Sequence, residues 1–210
     1  MRVHQPLNQV LDTGVKVRLL RFLCQKGGEW SGRRLAAVIS VHPTTAHHAL
    51  RELREATVLE FKQTGNTFVY SLRDEHVLVH DVLRPLFQRE ARLPEQLTAL
   101  LRQSLSAKLR AAVVSAALYG SVATGQERPA SDIDLLVLVH STQAKAAVQE
   151  ALERAGQQLM HTFGNPLALY LHTVQEARQK VRSGLPVFKN ILAHHQVLWG
   201  RPLQEALHGR

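Results

Sequence analysis

Two short motifs constrain this chain more than anything else in it. A β-type run, Ala112–Leu118, ends at Tyr119-Gly120-Ser121. Eleven residues after Ser121 come Asp132-Ile133-Asp134, preceded by Ser131 and leading an apolar run to Val139. Glycine lets a backbone turn with positive φ and come close to an anion. A helix starting at that turn points free N–H groups and the positive end of its dipole outward. Side chains alternate along a strand, so residues two apart share a face, and Asp132 and Asp134 project together. Two carboxylates side by side repel, and a divalent cation relieves the repulsion. Hard oxygen ligands of this kind suit Mg²⁺, or Mn²⁺, arriving with the phosphates of a nucleoside triphosphate. Ser121 and Ser131 add hydroxyls beside the phosphate-binding turn and the carboxylates. An Asp-x-Asp alone is often turn chemistry; with Gly-Ser at the end of the preceding strand it points to phosphoryl or nucleotidyl transfer.

The elements around these motifs alternate. The run Asp132–Val139 is apolar on both faces, which predicts a covered central strand. Helical spacing follows over Thr142–Met160, a strand over Leu167–His172, helices over Val174–Arg182 and Val187–Ala193, and an edge strand over Val197–Gly200. Strand–helix alternation of this kind predicts a sheet with helices packed on it.

The first part of the chain reads differently. Residues 15–26 carry Val15, Leu19, Phe22 and Leu23 at helical spacing, with Gly27-Gly28 as a stop. Ser31 is an N-cap for a second helix, and Pro43 opens a third that runs to about Ala56. Two strand-like runs, 58–62 and 67–72, flank a turn at Gln63-Thr64-Gly65-Asn66. The third helix shows Thr44, Thr45, His47, His48 and Arg51 on its outer face, and Lys62 stands near the hairpin.

Three helices followed by a hairpin resemble a winged helix-turn-helix domain, with Pro43–Ala56 as the recognition helix. That resemblance implies a DNA-binding face made of Thr44, Thr45, His47, His48, Arg51 and Lys62. Gly-Ser with Ser131-Asp132-Ile133-Asp134 resembles the polymerase β-like, minimal nucleotidyltransferase superfamily. It implies that Gly120, Ser121 and Ser131 meet the nucleotide's phosphates, and that Asp132 and Asp134 hold the metal and serve catalysis. Active members of that superfamily place a third carboxylate on a neighbouring strand. The candidate strand here, Asn165–His172, has none. Asn165 and His172 remain as weak substitutes, and Glu176 falls on the next helix.

The whole reads as an α/β (α+β) protein: a winged helix over 1–78, a helical connector over 79–110, and a mixed sheet flanked by helices over 111–210, of nucleotidyltransferase fold. A formal charge of +9 suits polyanionic partners. The first 80 residues carry 11 basic against 7 acidic side chains, so the excess is larger at the DNA-binding end. Double-stranded DNA and a nucleotide are the expected partners, with a protein acceptor and a homodimer also open. A single cysteine, Cys24, excludes an internal disulfide framework. With no apolar run of signal-peptide or membrane-span length, a cytoplasmic protein is expected. Histidines are plentiful, but no zinc-ligand spacing is present. Two functions fit: an enzyme transferring a nucleotidyl group to an unknown acceptor, or a transcriptional regulator whose degenerate nucleotidyltransferase domain senses nucleotide or docks a partner.

Overall fold

A computed structural model of the chain describes residues 3–65 and 67–208. Asn66, part of the expected hairpin turn, lies outside the described residues. The chain divides into two compact units, Met1–Leu93 and Pro94–Arg210.

In the first unit, α1 (Leu7–Val10) and α2 (Gly14–Lys26) precede a two-residue strand, β1 (Trp30–Ser31). Then come α3 (Gly32–Val38), α4 (Pro43–Glu55), β2 (Leu59–Thr64) and β3 (Thr67–Leu72). The three strands pair antiparallel in the order β1-β3-β2. This is a winged helix, and the local chemistry explains it. Ser31 accepts from the backbone N–H of Arg34 and caps α3. Pro43 sits in the first turn of α4, where its missing N–H costs nothing. Leu19, Leu20, Leu23, Leu35, Leu50 and Leu53 are fully buried and fuse the helices into one core with Val58, Leu59 and Tyr70. β1 is absent from any local pattern because it exists only through pairing: Trp30 lies opposite Tyr70 and Ser31 opposite Val69.

A buried lysine pins two of these helices. Lys16 on α2 is 2% exposed, and its ammonium group reaches Asp12 at 2.9 Å, Glu52 of α4 at 2.7 Å and the Gln9 carbonyl. Hydrogen bonding to both carboxylates outweighs the opposing effect of burial and holds its pKa above the ordinary lysine value.

The segment expected as a connector contributes to both units. A π-helical stretch, Leu78–Leu83, leads into α5 (Arg84–Glu90), and Leu83 and Phe87 join the winged-helix core. Pro85 removes the N–H that would bond the Asp81 carbonyl and crowds it, which accounts for the widened turn. Arg21 of α2 holds Glu90 of α5 through two hydrogen bonds, 2.6 and 2.8 Å. By contrast Leu97, Leu101 and Leu105, on and after α6 (Leu93–Gln103), bury in the core of the second unit.

That second unit is a four-stranded mixed sheet, with α7 (Ala107–Ala112) leading in. Its strands are β4 (Val113–Tyr119), β5 (Ile133–Val139), β6 (Leu167–Thr173) and β7 (His195–Gly200), in the order β6-β5-β4-β7. Only β5 and β6 are parallel, and α9 (Thr142–Phe163) makes the crossover they require. Helix α8 (Gly120–Thr124) follows β4 directly. Helices α10 (Val174–Arg182), α11 (Pro186–Ala193) and α12 (Leu203–His208) complete the unit. β5 reads apolar throughout because both of its faces are covered. Ile133, Leu135, Val137 and Val139 pack in the core with α6 and α9, whereas Leu136 and Leu138 pack with Phe188, Ile191 and Leu207 on the opposite face. Asp134 belongs by alternation to that second face. Strand β7 begins two residues earlier than the sequence pattern suggests, since His195 and Gln196 pair with Tyr119 and Leu118.

Gly200 closes the edge. Its φ is +91°, and a Cβ there would collide with the Val114 carbonyl and lie 2.9 Å from the Ser115 Cα, both backbone atoms that cannot turn aside. Gly200→Ala is expected to cost about 3 kcal/mol or more. Hydrogen exchange of the β4 and β5 amides in the full chain measures it: their opening free energies should fall together while those of α2 and α4 stay unchanged.

Candidate functional site

The two motifs meet at one end of the sheet. Gly120 has φ +70°, a conformation other residues adopt at a cost. Its bare Cα also faces the Asp134 carboxylate so closely that a Cβ would overlap Oδ2. Glycine is therefore required twice, once for the turn and once for the approach. Behind it, α8 starts with no side-chain cap, so the first backbone N–H groups point outward without a side-chain partner. Thr124 hydroxyl donates to the Ser121 carbonyl at 3.0 Å and, with Gly125 in the left-handed region, closes this short helix.

The register places Asp134 between Tyr119 of β4 and Ala168 of β6, with His195 of β7 next to Tyr119. One row across the sheet therefore reads His195, Tyr119, Asp134, Ala168. Asp132, just before β5, is exposed, whereas Asp134 is half-buried. Burial, with the Asp132 charge second, holds the Asp134 pKa above the usual carboxylate value. Burial also raises the Tyr119 hydroxyl, with the Asp134 carboxylate and Tyr170 adding to it. His195 Nδ1 bonds the Ile191 carbonyl at 2.9 Å, and because a carbonyl only accepts, that nitrogen carries the proton.

The other expected residues lie as follows. Ser131 Oγ accepts from the backbone N–H of Arg128 at 2.9 Å and so closes the turn ahead of Asp132. Asn165 braces the same turn, donating to the Pro129 and Ser131 carbonyls at 3.2 and 2.9 Å. His172 is buried; burial and then Lys180 lower its pKa, so it is held neutral. Glu176 caps α10 reciprocally with Thr173, bonds Lys145 at 2.8 Å and lies 3.4 Å from His172. The Lys145 ammonium group and the Thr173 N–H pull its pKa down to about 2. Ser131, Asn165 and Glu176 each have a structural task. Ala168 occupies the position beside Asp134 on the neighbouring strand, and among the described residues no group of three His, Cys, Asp or Glu side chains could hold a metal. Two carboxylates of this kind would suit one Mg²⁺ that keeps most of its water. They do not make a cage by themselves.

Tyr119, Tyr170, Lys180 and His195 carry no motif. Strand register puts Tyr119 and His195 in the Asp134 row and Tyr170 on the same face, and α10 returns Lys180 to Tyr170; single-sequence patterns do not encode either.

In the first unit, Thr44, Thr45, His47, His48 and Arg51 are all exposed on α4. Arg51 lies 3.3 Å from His48 Nδ1 and 3.8 Å from Glu55. Lys62 is exposed on β2 and pairs with Glu29 at 3.1 Å. A groove of about 880 Å³, lined by Arg33, Thr44, His47, Thr67, Phe68 and Tyr70, lies beside this face. No described helix is long and apolar enough to cross a membrane.

The pH dependence of Asp134 gives a test. The native state binds its proton more tightly than the unfolded chain does, so stability falls as pH rises through the ordinary carboxylate range to the raised native value. Without added metal, Asp134→Asn is expected to unfold at higher urea than the parent protein at pH 7. The difference should vanish below about pH 3, where both states are protonated.

Residues 99–186 match the family model described as a nucleotidyltransferase domain. The chain is similar to the solution structure of a homodimeric winged helix-turn-helix DNA-binding domain from Mycobacterium bovis, a fragment titled a possible ArsR-family regulator. Identity is 20%, the TM-score is 0.33, and the match covers 43% of this chain and 77% of that one. It is also similar to a toxin-antitoxin crystal structure with AMP-PNP, at 22% identity and TM-score 0.32, over 54% of this chain and 77% of that one. Likeness at this level says nothing about what either unit binds. No curated protein matches the chain. The stretch that matches the nucleotidyltransferase-domain model, residues 99–186, holds both the Gly-Ser turn and the Asp132/Asp134 pair, behind a winged-helix unit.

Proposed function

We propose that the second unit binds a nucleoside triphosphate with a divalent cation and transfers its nucleotidyl group to an acceptor, and that the first unit binds duplex DNA. One observation carries the first part. The Gly-Ser turn and the Asp132/Asp134 pair, separate in sequence, are packed so that Asp134 lies against the bare Cα of Gly120. Phosphates at the turn and a cation on the carboxylates would then be neighbours.

Asp132 and Asp134 hold the cation, which when bound neutralises phosphate charge. The outward N–H groups of Gly120 and Ser121 take phosphate oxygens, and the Ser121 hydroxyl adds a donor. An acceptor oxygen attacks the α-phosphorus and a new O–P bond forms. The bond to the β-phosphate breaks, and pyrophosphate leaves. Position and charge do most of the work in such a reaction, so few side chains are needed. Mg²⁺ or Mn²⁺ suits the ligand set.

Incubation with labelled nucleotides, Mg²⁺ or Mn²⁺ and candidate acceptors tests this. Label should pass to an acceptor, and Asp132→Ala should reduce the transfer at least about a hundredfold. Binding of nucleotide without transfer to any acceptor would favour the second reading, a regulator whose domain senses nucleotide. Ala168 beside Asp134, where a third carboxylate would stand, supports that alternative.

For DNA, the exposed face of α4 enters the major groove. Thr45, His48 and Arg51 meet base edges, while other basic side chains of residues 33–62 hold phosphates. The affinity of the full chain for duplex DNA should fall steeply with salt. Arg51→Ala should weaken binding by roughly 1–3 kcal/mol if it reads a base, measured by anisotropy on specific and scrambled duplexes. Parental affinity and parental discrimination between the two duplexes in Arg51→Ala would overturn the assignment.

A further inference from the structure

Lys180 on α10 is a cation held over the sheet face that bears Asp134. Strand β6 runs away from the Asp134 end of the sheet, and α10 turns back over it, so Lys180 returns to the level of Tyr170. Tyr170 is the next residue after Ala168 on the face that bears Asp134. The Lys180 ammonium group lies 3.3 Å from the Tyr170 hydroxyl and 5.2 Å from the centre of its ring. It lies 3.5 Å from His172 Nε2. Because His172 Nδ1 faces Glu176, Nε2 is the lone-pair nitrogen that accepts from the lysine. The side chain is thus held by two neutral acceptors and a ring face, and among the described residues no carboxylate lies within 4.0 Å of its nitrogen. It is fixed in place with its charge uncompensated. Tyr119, Asp134's partner across the sheet, responds to both Asp134 and Tyr170, so the lysine's hydroxyl partner belongs to the same cluster.

Resting on the reading of a nucleotide–cation site, we infer that Lys180 is an anion-binding residue of that site: with one divalent ion on Asp132 and Asp134, its ammonium group supplies the further positive charge that the nucleotide's phosphates require. Two carboxylates hold a single ion, and Ala168 offers no ligand for a second. A fixed ammonium group on the Ala168 side would also repel a second cation there. A lysine serves as a point charge toward phosphate and needs no bidentate geometry.

Electron paramagnetic resonance of Mn²⁺ with a non-hydrolysable nucleoside triphosphate analogue, on the full chain, tests this without turnover. The parent protein should bind one Mn²⁺ per bound analogue. Lys180→Met keeps the stem over Tyr170 but removes the charge; it should keep that stoichiometry and lose about tenfold in analogue affinity. Lys180→Arg should recover most of the loss. Two Mn²⁺ ions per analogue in the parent, or parental affinity in Lys180→Met, would overturn the inference. Loss of binding in Asp132→Ala with none in Lys180→Met removes Lys180 from the site and leaves the site itself standing. No binding of the analogue to the parent protein overturns both.

Discussion

The second unit depends on the contact between a glycine without a side chain and a carboxylate. Gly120 turns the chain out of β4 with positive φ, and the Asp134 carboxylate occupies the space a Cβ would need. Any other residue at 120 would push β5 away from the turn or turn Asp134 out of its row. The start of α8, the head of β5 and the spacing of the two carboxylates are set together by this approach. Its cost is visible in the raised pKa of Asp134, which is pressed against protein on one side and against the Asp132 charge on the other. A carboxylate held this way costs stability when ionised, and a bound cation would relieve that cost.

The proposed nucleotide–cation site would leave charge for the protein to compensate. A triphosphate and two aspartates carry far more negative charge than one divalent ion cancels. On the β6 side Lys180 is fixed by Tyr170 and neutral His172, and on the β7 side His195 is oriented by the Ile191 carbonyl. Glu176, the acid nearest in sequence to the vacant third-carboxylate position, is committed to the α10 cap and to Lys145. The Lys145 ammonium group and the Thr173 N–H hold its pKa down, at about 2. The acidic groups of α10 and the basic ones are therefore sorted: the acid is spent on structure, and Lys180 is left uncompensated.

The winged helix uses its charges in another way. Lys16 is buried and paired, and it ties α2 to α4 from below. Arg51 and Lys62 are exposed, each within reach of an acid, Glu55 and Glu29. Exposed pairs of this sort contribute little to stability and exchange readily for phosphate. A surface that binds DNA needs cations of the second kind, placed by a core that does not move.

Much of this was legible in the residues. Hydrophobic spacing and caps located α2, α3 and α4, since Ser31 and Pro43 act through neighbours three or four residues away. The both-faced apolar run of β5 announced a central strand, and Gly-Ser with Asp-x-Asp announced the site, because strand alternation and glycine's φ are local properties. What only the tertiary structure decided was non-local. β1 exists through β3, and β7 reaches back to His195 through β4. The division of the 79–110 segment between two cores was settled by which leucines found which neighbours. Strand order placed Ala168 beside Asp134, and the return of α10 brought Lys180 to Tyr170. The sequence by itself determined the pieces and the chemistry each could perform; which pieces share a face, and so which charged groups come together, is a matter of packing between residues far apart in the chain.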